Sequence, residues 1–310
     1  MNPPVFVFAS HRSGSTLLER ILNAHPNLVL WGEHAGILNN FVEMLDTMAR
    51  HGELSRPLPE RGLGHFLRNK PMPDFAPWRT PVSIEGVRQM VREWMLRTFT
   101  IGLAPEQRWG IKEIRYGGPL ITRSLLELFP AGQFVVLRRN LVDLCASNIL
   151  AAWSLDRLGQ TGKFETEEDA KAVISDCAYA LTAMDHRLRK TAEIAGASAF
   201  TLNMEEVPVR AEAIFEFLRL PLSPAVKAAI ASMIAAKVGD SDQSLSLGKL
   251  NIGLIKAWAP VFVAEAQRDI EQNGLDRERL LGFGPRGKYC FIVGDHSMRD
   301  TMRTSMGWHL

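Results

Sequence analysis

Val5-Phe6-Val7-Phe8-Ala9, then Ser10-His11-Arg12-Ser13-Gly14-Ser15-Thr16, then Leu17-Leu18-Glu19-Arg20-Ile21-Leu22 is the stretch from which the fold of this chain is read. An apolar run rich in β-branched and aromatic residues has the pattern of a buried strand. The segment after it is small and polar. Apolar residues at 17, 18, 21 and 22 then mark one face of a helix. A strand, a tight polar loop and a helix N-terminus make an anion site, because loop amides and the helix dipole present N–H donors and positive partial charge. Arg12 adds a planar cation, and Ser13, Ser15 and Thr16 add hydroxyl donors. The expected ligand carries a phosphate or a sulfate. A nucleoside-triphosphate loop requires G-x-x-x-x-G-K-[ST], and a dinucleotide fold requires G-x-G-x-x-G. This loop has one glycine and no lysine, which argues against an ATPase, a kinase or a dehydrogenase.

A second segment has the same construction. Gln133-Phe134-Val135-Val136-Leu137 reads as another buried strand, ends in Arg138-Arg139-Asn140, and leads into a helix carrying Leu141, Leu144, Cys145 and Asn148. Ser147 lies two helical turns beyond Arg139. An arginine at a strand end and a hydroxyl on the following helix can converge on one anion. In a parallel sheet both segments would open at the same carboxyl edge, where ligand sites of such sheets collect. Two anion sites side by side are expected.

These motifs resemble those of the sulfotransferases that use 3′-phosphoadenosine 5′-phosphosulfate (PAPS). Arg12-Ser13-Gly14-Ser15-Thr16-Leu17 is similar to their 5′-phosphosulfate loop, and Arg139 with Ser147 to their 3′-phosphate pair. Asn23-Ala24-His25-Pro26-Asn27, followed by Trp31-Gly32-Glu33, resembles the branch that holds tyrosylprotein sulfotransferases and many bacterial small-molecule and saccharide enzymes. Trp109-Gly110-Ile111-Lys112-Glu113 is similar to that branch's strand-borne lysine. Ser241-Asp242-Gln243, with Lys256 and Trp258, resembles its late cofactor-covering loop. The chain departs from the family at Asn140, where aspartate is common, and at Met204-Glu205-Glu206-Val207, where a tyrosine often stands first. The resemblance implies a P-loop-like three-layer α/β fold, a central parallel sheet flanked by helices with a helical insertion. It also implies PAPS as co-substrate, 3′,5′-ADP as product, and no metal.

Sulfuryl transfer, like phosphoryl transfer, leaves the protein mainly to position reactants and stabilise charge. Arg12 and Lys112 are the candidate cations for the bridging oxygen of the leaving nucleotide. Glu33 is the first candidate for the base that takes the acceptor's proton, and the resemblance puts the branch's base there. His34 is its rival, and adjacent residues in extended chain point apart. A capping role for Glu33 and an edge-strand position for Lys112 are the structural alternatives. A nucleotide-binding module without catalysis, and a protein-tyrosine sulfotransferase, are the alternative functions.

Composition is ordinary for a globular protein, with 46% hydrophobic and 23% charged residues among 310. A net charge of +2 gives no electrostatic case for nucleic acid. Cys145, Cys177 and Cys290 are far apart and have neither metal nor redox spacing, which suits reduced thiols in a cytoplasm. The N-terminal apolar run is too short for a signal peptide, and no run is long enough to span a membrane. One domain over 1–310 is expected, with a helical and loop insertion at 36–100 serving the acceptor and a C-terminal tail at 280–310 without a family counterpart. Its Arg286, Lys288, Arg299 and Arg303 are candidates for contact with an anion or with the partner of a homodimer, with a solvated surface as the alternative. Helices are expected near 36–50, 83–100, 119–129, 140–154, 208–219, 223–237 and 257–273, with 166–195 read as one long helix or two. A Pro- and Gly-rich stretch at 51–81 is a candidate lid, and 239–255 is expected to be a loop. The expected acceptor is a small molecule, saccharide or lipid bearing a hydroxyl.

Overall fold

The first apolar run forms β1 (Val5–Ala9), whose five residues are all fully buried. The computed structural model describes residues 2–50, 83–154, 164, 166–236, 246–247 and 249–275. β2 (Leu28–Trp31), β3 (Arg108–Glu113), β4 (Gln133–Arg138) and β5 (Ala199–Asn203) join β1 in a five-stranded parallel sheet of order β2-β3-β1-β4-β5. A parallel sheet is covered on both faces, so its strands carry apolar side chains toward both, and β1 lies at its centre.

Alternation along the strands sorts the core into two layers. Val5, Val7, Leu28, Leu30, Val135 and Leu137 pack against α1 (Ser15–Asn23), α7 (Val207–Phe217) and α8 (Pro224–Ala236). Phe6, Phe8, Trp109, Ile111, Phe134 and Val136 face α2 (Ile37–Arg50), α3 (Ile84–Phe99) and α4 (Pro119–Leu128). Phe99 stacks on Trp109 with ring centroids 5.5 Å apart, and Phe6 meets the same indole edge-on at 6.1 Å. Three layers result, helix, sheet and helix. α5 (Leu141–Ser154), α6 (Glu167–Ala195) and α9 (Ile252–Asn273) pack together in a further cluster that includes the buried, free Cys145 and Cys177. α6 is one helix of 29 residues.

β3 lies between β2 and β1, so it is not an edge strand. It closes onto β1 through Gly110, where a Cβ would come within 2.5 Å of the Val5 carbonyl oxygen. No larger residue fits there without moving the sheet.

The late segment differs from expectation. Ser246–Leu247 and Leu250–Asn251 form a short antiparallel hairpin, β6 and β7, and α9 starts at Ile252. The Asn251 side chain accepts from the Leu254 amide at 2.9 Å and caps the helix, while Ile255, Ala259, Val263, Ala266 and Ile270 make its buried stripe. The expected lid at 51–81, Ser241, Cys290 and the tail at 280–310 lie outside the described residues. Among the described residues no helix is long and apolar enough to cross a membrane.

Candidate active site

The loop between β1 and α1 turns twice through left-handed backbone, at Arg12 (φ 60°) and Gly14 (φ 88°). Glycine takes that conformation freely, whereas arginine does so at a cost that its surroundings must offset. Ser13 is fully buried and donates its hydroxyl to the Ser10 carbonyl at 2.6 Å, so it holds the shape of the loop. Gly14 is the residue before α1 and brings no side chain to cap it. The Leu17 amide donates to the Gly14 carbonyl at 3.0 Å, so of the first-turn amides those of Ser15 and Thr16 are left to an incoming acceptor such as an oxyanion. Arg12 and Thr16 are exposed and Ser15 is buried beneath them.

At the end of β4, two adjacent arginines serve different partners. Arg138 grips Asp185 of α6 with two nitrogens, at 2.7 and 2.9 Å. Arg139 turns to the loop and donates to the Arg12 carbonyl at 2.8 Å. Asn140 accepts from the Val142 amide at 2.9 Å and from the Asp143 amide at 3.3 Å, so it starts α5 as aspartate would. Ser147 is half-buried on α5. Its neighbour Asn148 donates to the His11 carbonyl at 3.2 Å and meets His11 Nδ1 at 3.1 Å, which pins this part of α5 to the loop. Burial lowers the pKa of His11, although the bond to Asn148 works against it.

Across β1, Lys112 is 3% exposed and projects to the α1 side of the sheet. Its Nζ lies 2.7 Å from Glu33 Oε1 and 3.3 Å from Glu19 Oε2. Glu33 stands two residues beyond the end of β2, and its other oxygen receives Arg115 at 3.2 Å. The same Arg115 nitrogen donates to Glu113 Oε1 at 2.6 Å. Glu113 is fully buried, and its second oxygen accepts from the amides of Gly36 at 2.9 Å and His34 at 3.2 Å. Burial alone would raise the Glu113 pKa, but the Gly36 amide and the Arg115 guanidinium outweigh it and the net shift is downward.

His34 faces the opposite layer from Glu33. Its Nε2 is 2.6 Å from the Tyr116 hydroxyl, which accepts from the Leu38 amide at 2.8 Å and so has its own proton free for the imidazole. Burial, the largest influence, holds the His34 pKa below 6.5 even though Glu113 pulls it up.

A family model described as "Sulfotransferase family" matches residues 3–223. The chain belongs to the sulfotransferase family. Sulfuryl transfer is the chemistry of that family. Solved structures similar to this sulfotransferase include one from Alicyclobacillus acidocaldarius, at 13% identity and a TM-score of 0.43, which covers 86% of this chain and 99% of that one. The sulfotransferase domain from the curacin biosynthetic pathway is 15% identical with a TM-score of 0.46, over 89% of this chain and 99% of that one. A mouse sulfotransferase complexed with PAP is 12% identical with a TM-score of 0.42, over 87% and 81%. No curated protein matches the chain.

Other residues singled out in the sequence of this sulfotransferase fall elsewhere. Lys256 is exposed in the first turns of α9, and among the described residues no hydrogen bond or ion pair joins it to the loop. Trp258 stacks on Phe262 at 5.5 Å and carries the Lys171 ammonium 4.1 Å above its ring, as part of the α5–α6–α9 cluster. Among the described residues no three His, Cys, Asp or Glu are grouped to hold a metal. Glu19, Glu113, Arg115, His11 and Asn148 were not read as site residues from the sequence. The signal available for Arg115 and Glu113 was their place at the carboxyl end of the strand that carries Lys112.

Proposed function

We propose that this sulfotransferase takes its sulfuryl group from PAPS and passes it to a hydroxyl or amine of a small-molecule, saccharide or lipid acceptor. The observation that carries the reading is the convergence at one sheet edge of two features: the Arg12–Arg139 contact at 2.8 Å and the Lys112–Glu33 pair at 2.7 Å. The residues fit the nucleotide. No side chain caps the first-turn amides of Ser15 and Thr16, and the buried Ser10 hydroxyl has no partner among the described residues.

PAPS, when bound, supplies an activated sulfuryl group on a bridging phosphate oxygen. Arg12, Gly14, Ser15, Thr16 and Leu17 line the turn that would hold the 5′-phosphosulfate, with Ser13 keeping its shape. Arg139 and Ser147 would hold the 3′-phosphate. Lys112 offers its ammonium to the oxygen on which charge develops, where one positioned donor is worth about 3 kcal/mol. Glu33 takes the acceptor's proton, a contribution of about 10²–10⁴-fold. Arg115 steadies the second Glu33 oxygen. Calorimetry with 3′,5′-ADP tests the reading. Saturable binding is expected, and its absence in folded protein would refute it.

A further inference from the structure

Lys112 has two carboxylates where one would balance its charge. Its side chain is 4% exposed, that of Glu19 is 21% and that of Glu33 is 34%, so Glu19 is the deeper partner. Glu19 lies on α1, one turn past Ser15, on the same helix whose N-terminus faces the anion loop. Room for its carboxylate comes from Gly32, where a Cβ would lie 3.2 Å from Glu19 Oε1. That position is followed directly by Glu33.

We propose that Glu19 is the positioning residue that keeps Lys112 paired and aimed while Glu33 is neutralised during transfer, an inference that rests on the function proposed above. In the step, the acceptor's O–H proton moves to a Glu33 oxygen and an acceptor lone pair forms the bond to sulfur. The bond from sulfur to the bridging oxygen breaks, and its electron pair stays on the departing 3′,5′-ADP. Glu33 is then uncharged, and a lysine this deeply buried cannot be left without a counter-ion except at high cost. Glu19 supplies one that takes no proton from the acceptor. A helix residue thus couples the anion loop to the general base through the lysine between them.

The test compares the full chain as wild type, Glu19→Gln, Glu33→Gln and the double variant. Glu33→Gln imitates the neutralised base. The ammonium ¹⁵N–¹H signal of Lys112, assigned by its loss in Lys112→Met, is expected to persist in Glu33→Gln. In the double variant its exchange with water should be at least tenfold faster. The melting temperature of the double variant should fall by more than the sum of the two single shifts. Equal exchange in Glu33→Gln and the double variant, or additive melting shifts, overturns the proposal. If the double variant does not fold, Glu19→Asp on the Glu33→Gln background withdraws the carboxylate from Lys112 by one methylene and should speed exchange in the same direction, and unchanged exchange again overturns it. Binding of 3′,5′-ADP to wild type, measured alongside, separates the two readings. Binding with unaltered Lys112 exchange refutes Glu19's role alone, and no binding by folded wild type refutes the proposed function.

Discussion

The Arg139 guanidinium donates to the Arg12 carbonyl across 2.8 Å, although 127 residues separate the two in sequence. The contact holds in place a loop residue whose backbone is left-handed, and it keeps the second cation beside the first. Arg139→Ala removes both effects. Charge-assisted hydrogen bonds contribute about 1.5–3 kcal/mol each, so the affinity for 3′,5′-ADP should fall by about 10–100-fold in a calorimetric titration. Arg138→Ala is the control. Its side chain is committed to Asp185, so that variant should lose stability while binding the nucleotide nearly as well as wild type.

Glu33 and His34 are neighbours with separate duties. Glu33→Gln should reduce sulfuryl transfer by about 10²–10⁴-fold while 3′,5′-ADP affinity stays within a few-fold of wild type. His34→Asn should retain most turnover, because the imidazole is occupied by Tyr116 on the other layer. Single-turnover release of 3′,5′-ADP from PAPS distinguishes them, and a larger loss in His34→Asn would reverse the assignment.

Glu113 is the buried anchor of the segment that carries Glu33. It accepts from the Gly36 and His34 amides and from Arg115, so Glu113→Ala strands several donors at once. Breaking a buried pair of this kind costs about 3–5 kcal/mol, which urea denaturation would register. A loss below about 1 kcal/mol would contradict the anchoring role assigned to it.

Stability should depend on pH through His34. Its folded pKa is depressed below 6.5 by burial, so the unfolded chain binds the proton more readily. The contribution is fully present above 6.5 and is lost as pH falls from there toward and through the folded value. Glu113, with its own depressed pKa, contributes above 4.5 and loses that contribution at lower pH. Thermal melting should therefore drop as pH is lowered from 7, and His34→Asn should flatten the part of that curve nearest neutrality.

The strands were legible because a fully buried parallel strand is an unbroken apolar run, as at Val5–Ala9 and Gln133–Arg138. The loop was legible because Arg12, Gly14 and the hydroxyls break that pattern where a helix follows. Lys112 stood out as a charge inside a strand. Arg115 and Glu19 did not, since a charged residue on a helix or after a strand end has the same local pattern as a solvated surface. Their partners are fixed by strand order, which local periodicity does not encode. The start of α9 was hidden for a different reason. Ser and Gly before Asn251 mark a turn, and the cap that converts the next residue into helix is a single side chain.

One property of the site follows from how its contacts are spaced along the chain. Lys112 meets Glu33 across 79 residues, Arg139 meets Arg12 across 127, and Asn148 meets His11 across 137. None of these can form inside a single hairpin or helical segment, so each waits for distant strands to find their neighbours. A partly folded chain would hold fragments of the site and bind little. In refolding, recovery of nucleotide affinity should therefore lag behind recovery of helix signal and coincide with completion of the sheet, which makes 3′,5′-ADP a reporter of the finished topology.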